Sequence, residues 1–283
     1  MQELRGMPVV NWMNEKLAAD LALLGEKGVE PCLAVVRVGA REDDLAYERG
    51  ILKRFSEKAA VRVVEMAENC SQEQLDKTID GLNADESVHG ILLFRPLLRG
   101  LSEERVKKTI RPEKDVDCMG LVNFAHVFAA SGEGFPPCTP QAVMELLEFN
   151  RIDLTGKRVV IVGRSMVVGK PLAMLVLAKN ATVTVCHTKT KDLAAECRNA
   201  DILVACAGVA KMITRDYVHE RQIVVDVGIN VLDGKLCGDV DYVAVAEHVG
   251  AITPVPGGVG TITTSVLLKH TVKNAVRQLA GEA

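Results

Sequence analysis

The stretch that decides the fold lies at residues 159–171 and reads V-V-I-V-G-R-S-M-V-V-G-K-P. A β-branched apolar run ends at Gly163, and a helical pattern begins again at Gly169. A strand that turns through glycine into a helix presents free backbone N–H groups at the positive end of the helix dipole. The stretch therefore predicts a seat for a phosphate group, although by itself it also fits a plain strand-to-helix turn.

The residues around this turn repeat a strand–helix rhythm. Helical patterns follow Gly169 and Asp192. Four apolar runs predict parallel strands, near residues 158–162, 182–186, 202–205 and 223–227. Parallel strands that alternate with helices are typical of a Rossmann-like dinucleotide-binding domain.

The N-terminal half shows a second strand–helix series. Apolar runs near residues 32–38, 61–66 and 88–94 predict strands, and helices are predicted near 11–26, 44–59 and 71–82. Such a series indicates an open parallel sheet with right-handed crossovers. Residues 110–140 are rich in glycine and proline and are predicted as loop. Thr139 and Pro140 then predict the start of a helix, with proline at its first position.

These patterns together predict an α/β protein of two domains with a cleft between them. From residue 262 onwards the pattern is helical again, and a last helix of about 18 residues is long enough to pack on the first domain. We therefore predict one domain at 1–148 with 263–283, whose open parallel sheet is completed by the C-terminal helix. The Rossmann-like domain is predicted at 149–262.

Composition excludes several classes of protein. The net charge of the 283 residues is −3 without a basic stripe, which argues against nucleic acid as a partner. No apolar run approaches the roughly 20 residues that span a bilayer, and the N-terminus lacks the apolar core of a signal peptide. The eight cysteines are scattered and form no C-x-x-C pair. We therefore expect a reduced, cytoplasmic protein without a metal site.

The segment after the second Rossmann strand bears on the choice of cofactor. NAD sites usually place an acid about 20 residues after the glycine turn, where it holds the ribose 2′-hydroxyl. Here residues 186–191 read C-H-T-K-T-K, and the first carboxylate is Asp192. Arg164 lies in the turn itself. A guanidinium with hydroxyl groups suits a 2′-phosphate, which favours NADP over NAD, although the two lysines also fit ordinary surface charge.

Five motifs, in order along the chain, carry a resemblance to a known family. They are K-D-V-D at 114–117, C-T-P at 138–140, G-R-S at 163–165, D-V-G-I-N at 226–230 and P-V-P-G-G-V-G at 254–260. The chain resembles the methylenetetrahydrofolate dehydrogenase/methenyltetrahydrofolate cyclohydrolase family over nearly its whole length. The resemblance implies a folate domain completed by the C-terminal helix, an NADP domain, and a homodimer built through the second domain.

The resemblance also implies an activity and site residues. The activity is the NADP-dependent oxidation of 5,10-methylenetetrahydrofolate to 5,10-methenyltetrahydrofolate. Tyr47 resembles the tyrosine that stacks on the folate, and Asp117 resembles the carboxylate that grips the pterin. The remaining implied residues bind folate (Pro256, Gly257 and Gly258) or the cofactor (Gly163, Arg164, Ser165, Thr188 and Ile229).

Two positions depart from the family pattern in a coordinated way. The family has a lysine four residues after the tyrosine, on the same helix face, and this chain has Ile51 there. The family glutamine that orients the lysine is replaced by Phe94. Opening the methenyl ring with water needs proton transfers, which are typically worth about 10²–10⁴-fold. The pair therefore predicts weak or lost cyclohydrolase activity. A smaller departure is Cys118, where glycine is usual.

Three alternatives stay open at this point. The chain could be a fully bifunctional dehydrogenase/cyclohydrolase in which Tyr47, Asp117 and water suffice. It could be a folate-binding protein without catalytic activity, although the phosphate seat argues against this. An unrelated amino-acid or hydroxy-acid dehydrogenase would need a proton-handling residue, for which Lys53 and His126 are the candidates.

Overall fold

The structure is a computed structural model, and it describes residues 1–281. The chain divides into two compact units. The six-stranded unit contains Met1–Trp12 and Thr139–Thr263, and the three-stranded unit contains Met13–Cys138 and the C-terminal residues from Thr264 on. The predicted domain limits stay a prediction, and the last two residues of the predicted range 263–283 lie outside the described residues.

Eleven strands and ten α-helices are found among residues 1–281. The strands are β1 (Gln2–Glu3), β2 (Cys32–Val38), β3 (Ala60–Met66), β4 (Gly90–Leu93), β5 (Arg158–Val162), β6 (Thr182–Cys186), β7 (Ile202–Ala205), β8 (Ile223–Asp226), β9 (Asn230–Leu232), β10 (Lys235–Cys237) and β11 (Ala251–Ile252). The helices are α1 (Gly6–Glu26), α2 (Glu42–Phe55), α3 (Gln72–Ala84), α4 (Glu103–Thr109), α5 (Leu121–Ala129), α6 (Cys138–Phe149), α7 (Gly169–Leu177), α8 (Leu193–Arg198), α9 (Tyr242–Val245) and α10 (Thr263–Leu279).

The main sheet of the six-stranded unit is parallel, with the order β1-β11-β8-β7-β5-β6. β7 is buried along its whole length and β5 from its second residue on, as expected of strands covered on both faces. The predicted strands at 158–162, 182–186 and 202–205 are confirmed to the residue, and the fourth ends one residue early. The predicted parallel α/β class is thereby confirmed.

The three-stranded unit contains a parallel sheet with the order β3-β2-β4. All seven residues of the central strand β2 are buried. Helix α3 begins with a capping box, in which Ser71 Oγ accepts from the Gln74 N–H at 3.2 Å and Gln74 Oε1 accepts from the Ser71 N–H at 2.7 Å. The open parallel sheet confirms the prediction from the sequence.

Helix α10 completes the three-stranded unit, as predicted. Its buried apolar side chains include Val266, Leu268, Val272 and Ala275. Asn274 Nδ2 donates to the His89 carbonyl at 2.8 Å, just before β4. The C-terminal helix is therefore tied to the sheet both by apolar contact and by a buried hydrogen bond.

The prediction of loop over residues 110–140 is wrong in part, because α5 lies within it. The glycines that suggested loop fall at its ends: Gly120 precedes the helix, and the turns at Gly132 and Gly134 follow it. Helix α6 begins at Cys138, so Pro140 is its third residue rather than its first. The segment is thus helical where apolar residues dominate and irregular only where glycine and proline cluster.

The antiparallel hairpin of β9 and β10 was also not predicted. Asp233 and Gly234 connect its strands, both with positive φ (51° and 72°), as a type I′ turn requires. No helix among residues 1–281 combines the length and the apolar character that a membrane span requires.

Candidate functional site

In the six-stranded unit, the residues that the resemblance assigns to the cofactor lie at one edge of the sheet. Gly163, Arg164 and Ser165 follow β5, Thr188 follows β6, and Ile229 follows β8. Because these strands are parallel, their carboxyl ends meet at the same edge, where open α/β sheets bind ligands. Arg164, Ser165 and Thr188 are exposed, and Ile229 is 67% exposed. These side chains are therefore accessible to a ligand.

The turn after β5 has no room for a side chain at either of its two glycines. Gly163 has a φ of 138°, and a β-carbon on it would overlap the carbonyl group of Cys206. A β-carbon on Gly169, the first residue of α7, would overlap the carbonyl oxygen of Gly163. The two glycines therefore let the turn pack closely against the start of the helix, as a phosphate seat requires. This cradle fits a dinucleotide cofactor.

The loop after β6 is ordered by its own side chains. Thr190 Oγ1 accepts from the His187 N–H at 2.8 Å. The carboxylate of Asp192 accepts from the Ala195 N–H at 3.1 Å and caps α8. The first acid after the strand is thus used within the helix cap, whereas Arg164 is exposed in the neighbouring turn. This arrangement favours a 2′-phosphate over a free ribose hydroxyl.

The glycine-proline loop at 254–260 follows β11 and is held by the N-terminus. The Gly6 N–H, at the start of α1, donates to the Gly257 carbonyl at 2.8 Å, and a β-carbon on Gly6 would overlap this loop. At the other end of the loop, a β-carbon on Gly260 would lie 3.6 Å from Ile229 Cδ1. The loop therefore adjoins one of the predicted cofactor residues, and Gly6 is a contact that the sequence did not reveal.

Two buried carboxylates hold the loop that carries Ile229. Asp226 accepts backbone N–H bonds at 2.9–3.0 Å from Gly228, Asp239 and Val240. Asp239 accepts from the amides of residues 207 and 208, after β7. Burial raises the pKa of Asp226 to about 6, against the effect of these bonds. Sequence reasoning missed Asp239, because its burial and its bonds to the loop after β7 depend on the fold.

In the three-stranded unit, the positions of the family tyrosine, lysine and glutamine hold two aromatic residues and one aliphatic residue. Tyr47 and Ile51 lie one turn apart on α2, and Phe94 directly follows β4. The rings of Tyr47 and Phe94 have centroids 5.5 Å apart and are tilted by 34°. Ile51 is fully buried. Desolvation, followed by the negative charge of Asp117, raises the pKa of the Tyr47 hydroxyl well above its ordinary value.

The charged residues of the K-D-V-D motif have two different roles: Lys114 and Asp115 bind the surrounding backbone, and Asp117 faces solvent in part. Lys114 Nζ donates to three carbonyls at the end of α3, at 2.7–3.0 Å. Asp115 is buried and accepts from the N–H groups of Met119 and Gly120 at 2.7 and 2.8 Å. Only Asp117 keeps a partly exposed carboxylate, with 24% of its side chain accessible. It is therefore the one carboxylate of this motif that can bind a ligand.

Asp117 is oriented by two neighbours. Its Oδ1 accepts from the Cys138 N–H at 3.1 Å, and its Oδ2 lies 3.8 Å from Arg95 Nη2. Arg95 follows Phe94, at the carboxyl end of β4. The sequence did not single out Arg95, because only the fold brings it to an acid 22 residues further along the chain.

A buried histidine and cysteine lie behind Asp117. His270 Nδ1 donates to the Val116 carbonyl at 2.8 Å, and Cys138 Sγ lies 3.5 Å from the same oxygen. Burial lowers the pKa of His270 to about 3, and burial together with Asp117 raises the pKa of Cys138 well above its ordinary value. Neither group is therefore charged at neutral pH.

We expect His270 to make the protein sensitive to acid. Its pKa is about 3 in the fold, against an ordinary value of 6.5, so the unfolded chain binds more protons between these values. The free energy of unfolding should therefore fall as the pH drops below 6.5, by about 3 kcal/mol at pH 4 from this group. His270→Gln keeps a donor but does not titrate, so its urea midpoint should fall less between pH 7 and 4 than that of wild type. His126→Gln, at a partly exposed ring, is the control, and equal losses in wild type and H270Q would contradict the prediction.

Cys118 occupies a backbone position that favours glycine, the residue that the family usually has there. Its φ is 55°, in the left-handed region that favours glycine. The thiol is buried, and desolvation raises its pKa above the ordinary value. The departure thus adds a neutral, buried thiol next to the K-D-V-D motif.

The other candidate bases do not take the place of Ile51. Lys53 and the neighbouring Arg49 are exposed, whereas Ile51 is fully buried. His126 lies at the end of α5, with Nδ1 2.9 Å from Ser131 Oγ and 3.5 Å from a Glu133 oxygen. His126 therefore has surface partners of its own.

Comparison with known proteins identifies the family. The family model described as tetrahydrofolate dehydrogenase/cyclohydrolase, catalytic domain, matches residues 4–117. The corresponding NAD(P)-binding domain matches residues 137–279. The chain belongs to the tetrahydrofolate dehydrogenase/cyclohydrolase family. The resemblance predicted from the motifs is confirmed, and the NAD(P)-binding match covers the six-stranded unit from Thr139 to Thr263 and continues through α10.

Relatives match the chain over nearly its full length. The bifunctional protein FolD of Clostridioides difficile is 50% identical over 274 residues, 96% of each chain. The crystal structure of the bifunctional FolD enzyme from Campylobacter jejuni has a TM-score of 0.95 and 41% identity, covering 98% of this chain and 99% of that one. A Trypanosoma brucei methylenetetrahydrofolate dehydrogenase-cyclohydrolase, solved with NADP and an inhibitor, has a TM-score of 0.91 and 34% identity, covering 97% of both chains.

Proposed function

We propose that this chain oxidises 5,10-methylenetetrahydrofolate to 5,10-methenyltetrahydrofolate with NADP, and that its cyclohydrolase activity is weak or absent. The proposal depends above all on the residues at positions 51 and 94 of the three-stranded unit. Ile51 is fully buried where the family has its lysine, and Phe94 packs against Tyr47 where the family has its glutamine. An aliphatic and an aromatic side chain cannot transfer a proton.

The residues at the edge of the six-stranded sheet would hold NADP. The turn at Gly163 and Ser165 would receive the pyrophosphate, Arg164 and Thr188 the 2′-phosphate, and the backbone of Ile229 the nicotinamide end. The nicotinamide ring supplies the acceptor for a hydride from the methylene bridge of the folate. The protein provides the binding energy and the orientation.

Folate would be held by residues that need no titration. Tyr47 offers an aromatic face, and Asp117 can accept two parallel N–H bonds from the pterin amide and amine. The loop at Pro256, Gly257 and Gly258 allows close approach of backbone to ligand. Because the folate nitrogens supply the electrons for hydride loss, no protein base is required, and positioning can supply several kcal/mol of the barrier.

Ring opening by water makes a different demand. Water must lose a proton as it adds to the methenyl carbon, and a nitrogen of the folate must gain one. The raised pKa values of Tyr47 and Cys138 keep the hydroxyl and the thiol protonated at neutral pH, so neither can accept the proton of water. The lowered pKa of His270 keeps its imidazole neutral, so its second nitrogen carries no proton to donate. These ionisable neighbours are therefore poor substitutes for a lysine.

Two assays on the wild-type chain test the proposal. We expect NADP to be reduced when 5,10-methylenetetrahydrofolate is added, and the methenyl product to accumulate. Hydrolysis of added 5,10-methenyltetrahydrofolate should be no faster, or only slightly faster, than in buffer alone. Hydrolysis at ordinary enzyme rates of about 10 per second would instead support the fully bifunctional alternative.

The same experiments address the non-catalytic alternative. A folate-binding protein would be stabilised against heat by folate but would reduce no NADP. The exposed Arg164 beside a glycine cradle argues against this alternative, since a pure folate binder has no use for a phosphate seat. The homodimer and the cytoplasmic location stay predictions.

A further inference from the structure

The guanidinium of Arg95 lies beside the carboxylate that is proposed to bind the pterin. Arg95 Nη2 is 3.8 Å from Asp117 Oδ2, and about a quarter of each side chain is exposed (26% and 24%). At this distance the two groups attract each other but form no hydrogen bond. The pair therefore presents a cationic donor and an anionic acceptor side by side to an incoming ligand.

The donors of Arg95 are not used elsewhere in the protein. Among residues 1–281, Asp117 is the one acidic side chain within ion-pair distance of Arg95, and the guanidinium makes no hydrogen bond to a protein acceptor. The neighbouring Phe94 is directed to Tyr47, so it does not compete for this position. A guanidinium carries five N–H donors in a rigid fork, and these remain available here.

The edge of a pterin carries a matching order of groups. Its 2-amino group and N3–H are donors, and the adjacent 4-oxo oxygen is an acceptor. A carboxylate on the two donors leaves the 4-oxo oxygen facing the next protein group along the edge. We propose that Arg95 donates to this 4-oxo oxygen, so that Arg95 and Asp117 together recognise the whole edge. The inference rests on the proposed function and adds a residue that determines substrate specificity.

The position of Arg95 supports this role. The family glutamine is followed by an apolar residue, whereas here Phe94 is followed by an arginine. The positive charge that the family has at position 51 is thus absent from α2, and another stands at the carboxyl end of β4. A guanidinium does not release its proton in proteins. Arg95 can therefore orient the substrate without restoring proton transfer.

Paired ligands and variants test the proposal. Tetrahydrofolate carries the 4-oxo oxygen, and its 4-amino counterpart presents a donor at the same place. We expect Arg95→Leu to bind tetrahydrofolate about 10–100-fold more weakly than wild type, as for the loss of one charged hydrogen bond. Its affinity for the 4-amino compound should change little. The 4-amino compound also lacks the N3–H, but both proteins lose this contact with Asp117 alike, so calorimetric dissociation constants for both ligands and both proteins isolate the coupling between Arg95 and the 4-position.

The controls distinguish failure of this inference from failure of the proposed function. Arg99→Leu removes an exposed arginine from the same loop and should leave both affinities unchanged. An unchanged dissociation constant for NADP shows that the Arg95→Leu chain is folded. Equal weakening of both ligands would mean that Arg95 acts only through Asp117, and no weakening would mean that it has no role; either result overturns the proposal. If wild type reduces NADP and Arg95→Leu keeps full affinity for tetrahydrofolate, only this inference is overturned. If wild type binds neither ligand, the proposed function is overturned as well.

Discussion

We expect a chain with both Ile51→Lys and Phe94→Gln to hydrolyse 5,10-methenyltetrahydrofolate about 10²–10⁴-fold faster than wild type, the usual range for general acid–base catalysis. A lysine at position 51 would lie one helical turn after Tyr47, on the same face of α2. A glutamine at position 94 would replace the ring that packs on Tyr47 at 5.5 Å and would offer an amide to the new amine. The measurement is the steady-state rate of hydrolysis.

The single variants are the controls, and we expect neither to recover hydrolysis. In Ile51→Lys alone, the amine would replace a fully buried aliphatic side chain, and Phe94 would offer it no polar group to orient it. Burial of this kind disfavours the charged form of a lysine. In Phe94→Gln alone there is no group to transfer a proton. If Ile51→Lys by itself reached the activity of the double variant, the two positions would not be coupled in the way proposed here.

We expect Gly163→Ala to weaken NADP binding by about 10²-fold or more, because a displacement of about 1 Å in a positioned site can cost this much. The added β-carbon would overlap the carbonyl group of Cys206, and the φ of 138° is unsuited to alanine. The turn would have to move away from the start of α7, which itself packs against Gly163 through Gly169. Calorimetric titration with NADP measures the loss.

Gly156→Ala is the control for this effect. Gly156 also has a positive φ, at 72°, but a β-carbon there would meet no atom within 4 Å. It precedes β5, at the opposite end of the strand from Gly163, so the substitution introduces backbone strain in the same unit without the overlap and away from the predicted cofactor residues. We expect a modest loss of thermal stability and an NADP affinity close to that of wild type. Similar losses of affinity in both variants would show that strain alone, and not close packing of the turn, accounts for the effect.

The elements that could be predicted from sequence are those with a strong local signal. β2 and β5 are buried parallel strands, and such strands appear as continuous apolar runs whose ends are clear. Helix α5 was missed because glycines and prolines on both sides of it gave the whole segment the composition of a loop. The hairpin of β9 and β10 did carry a signal, since Asp233 and Gly234 form the pair that two-residue turns favour.

For the site, the sequence identified residues but not their contacts. The resemblance implies that Ile51 replaces the family lysine, and the four-residue spacing puts it on the same helix face as Tyr47. That Phe94 packs against Tyr47, and that Arg95 faces Asp117, depends on how β4 and α2 lie in the three-stranded unit. Contacts between residues that are 20 or more positions apart leave no periodicity in a single sequence, so they became visible only in the fold.

Each compact unit is assembled from two separate pieces of chain. β1 pairs with β11, whose residues are synthesised some 250 positions later, and α10 closes a sheet whose strands were complete before residue 94. On the ribosome, each unit can therefore reach its final form only after its late segment, β11 or α10, has been synthesised, and its apolar surface stays exposed until then. A deletion that removes β1 or α10 would accordingly impair the folding of a region distant in sequence.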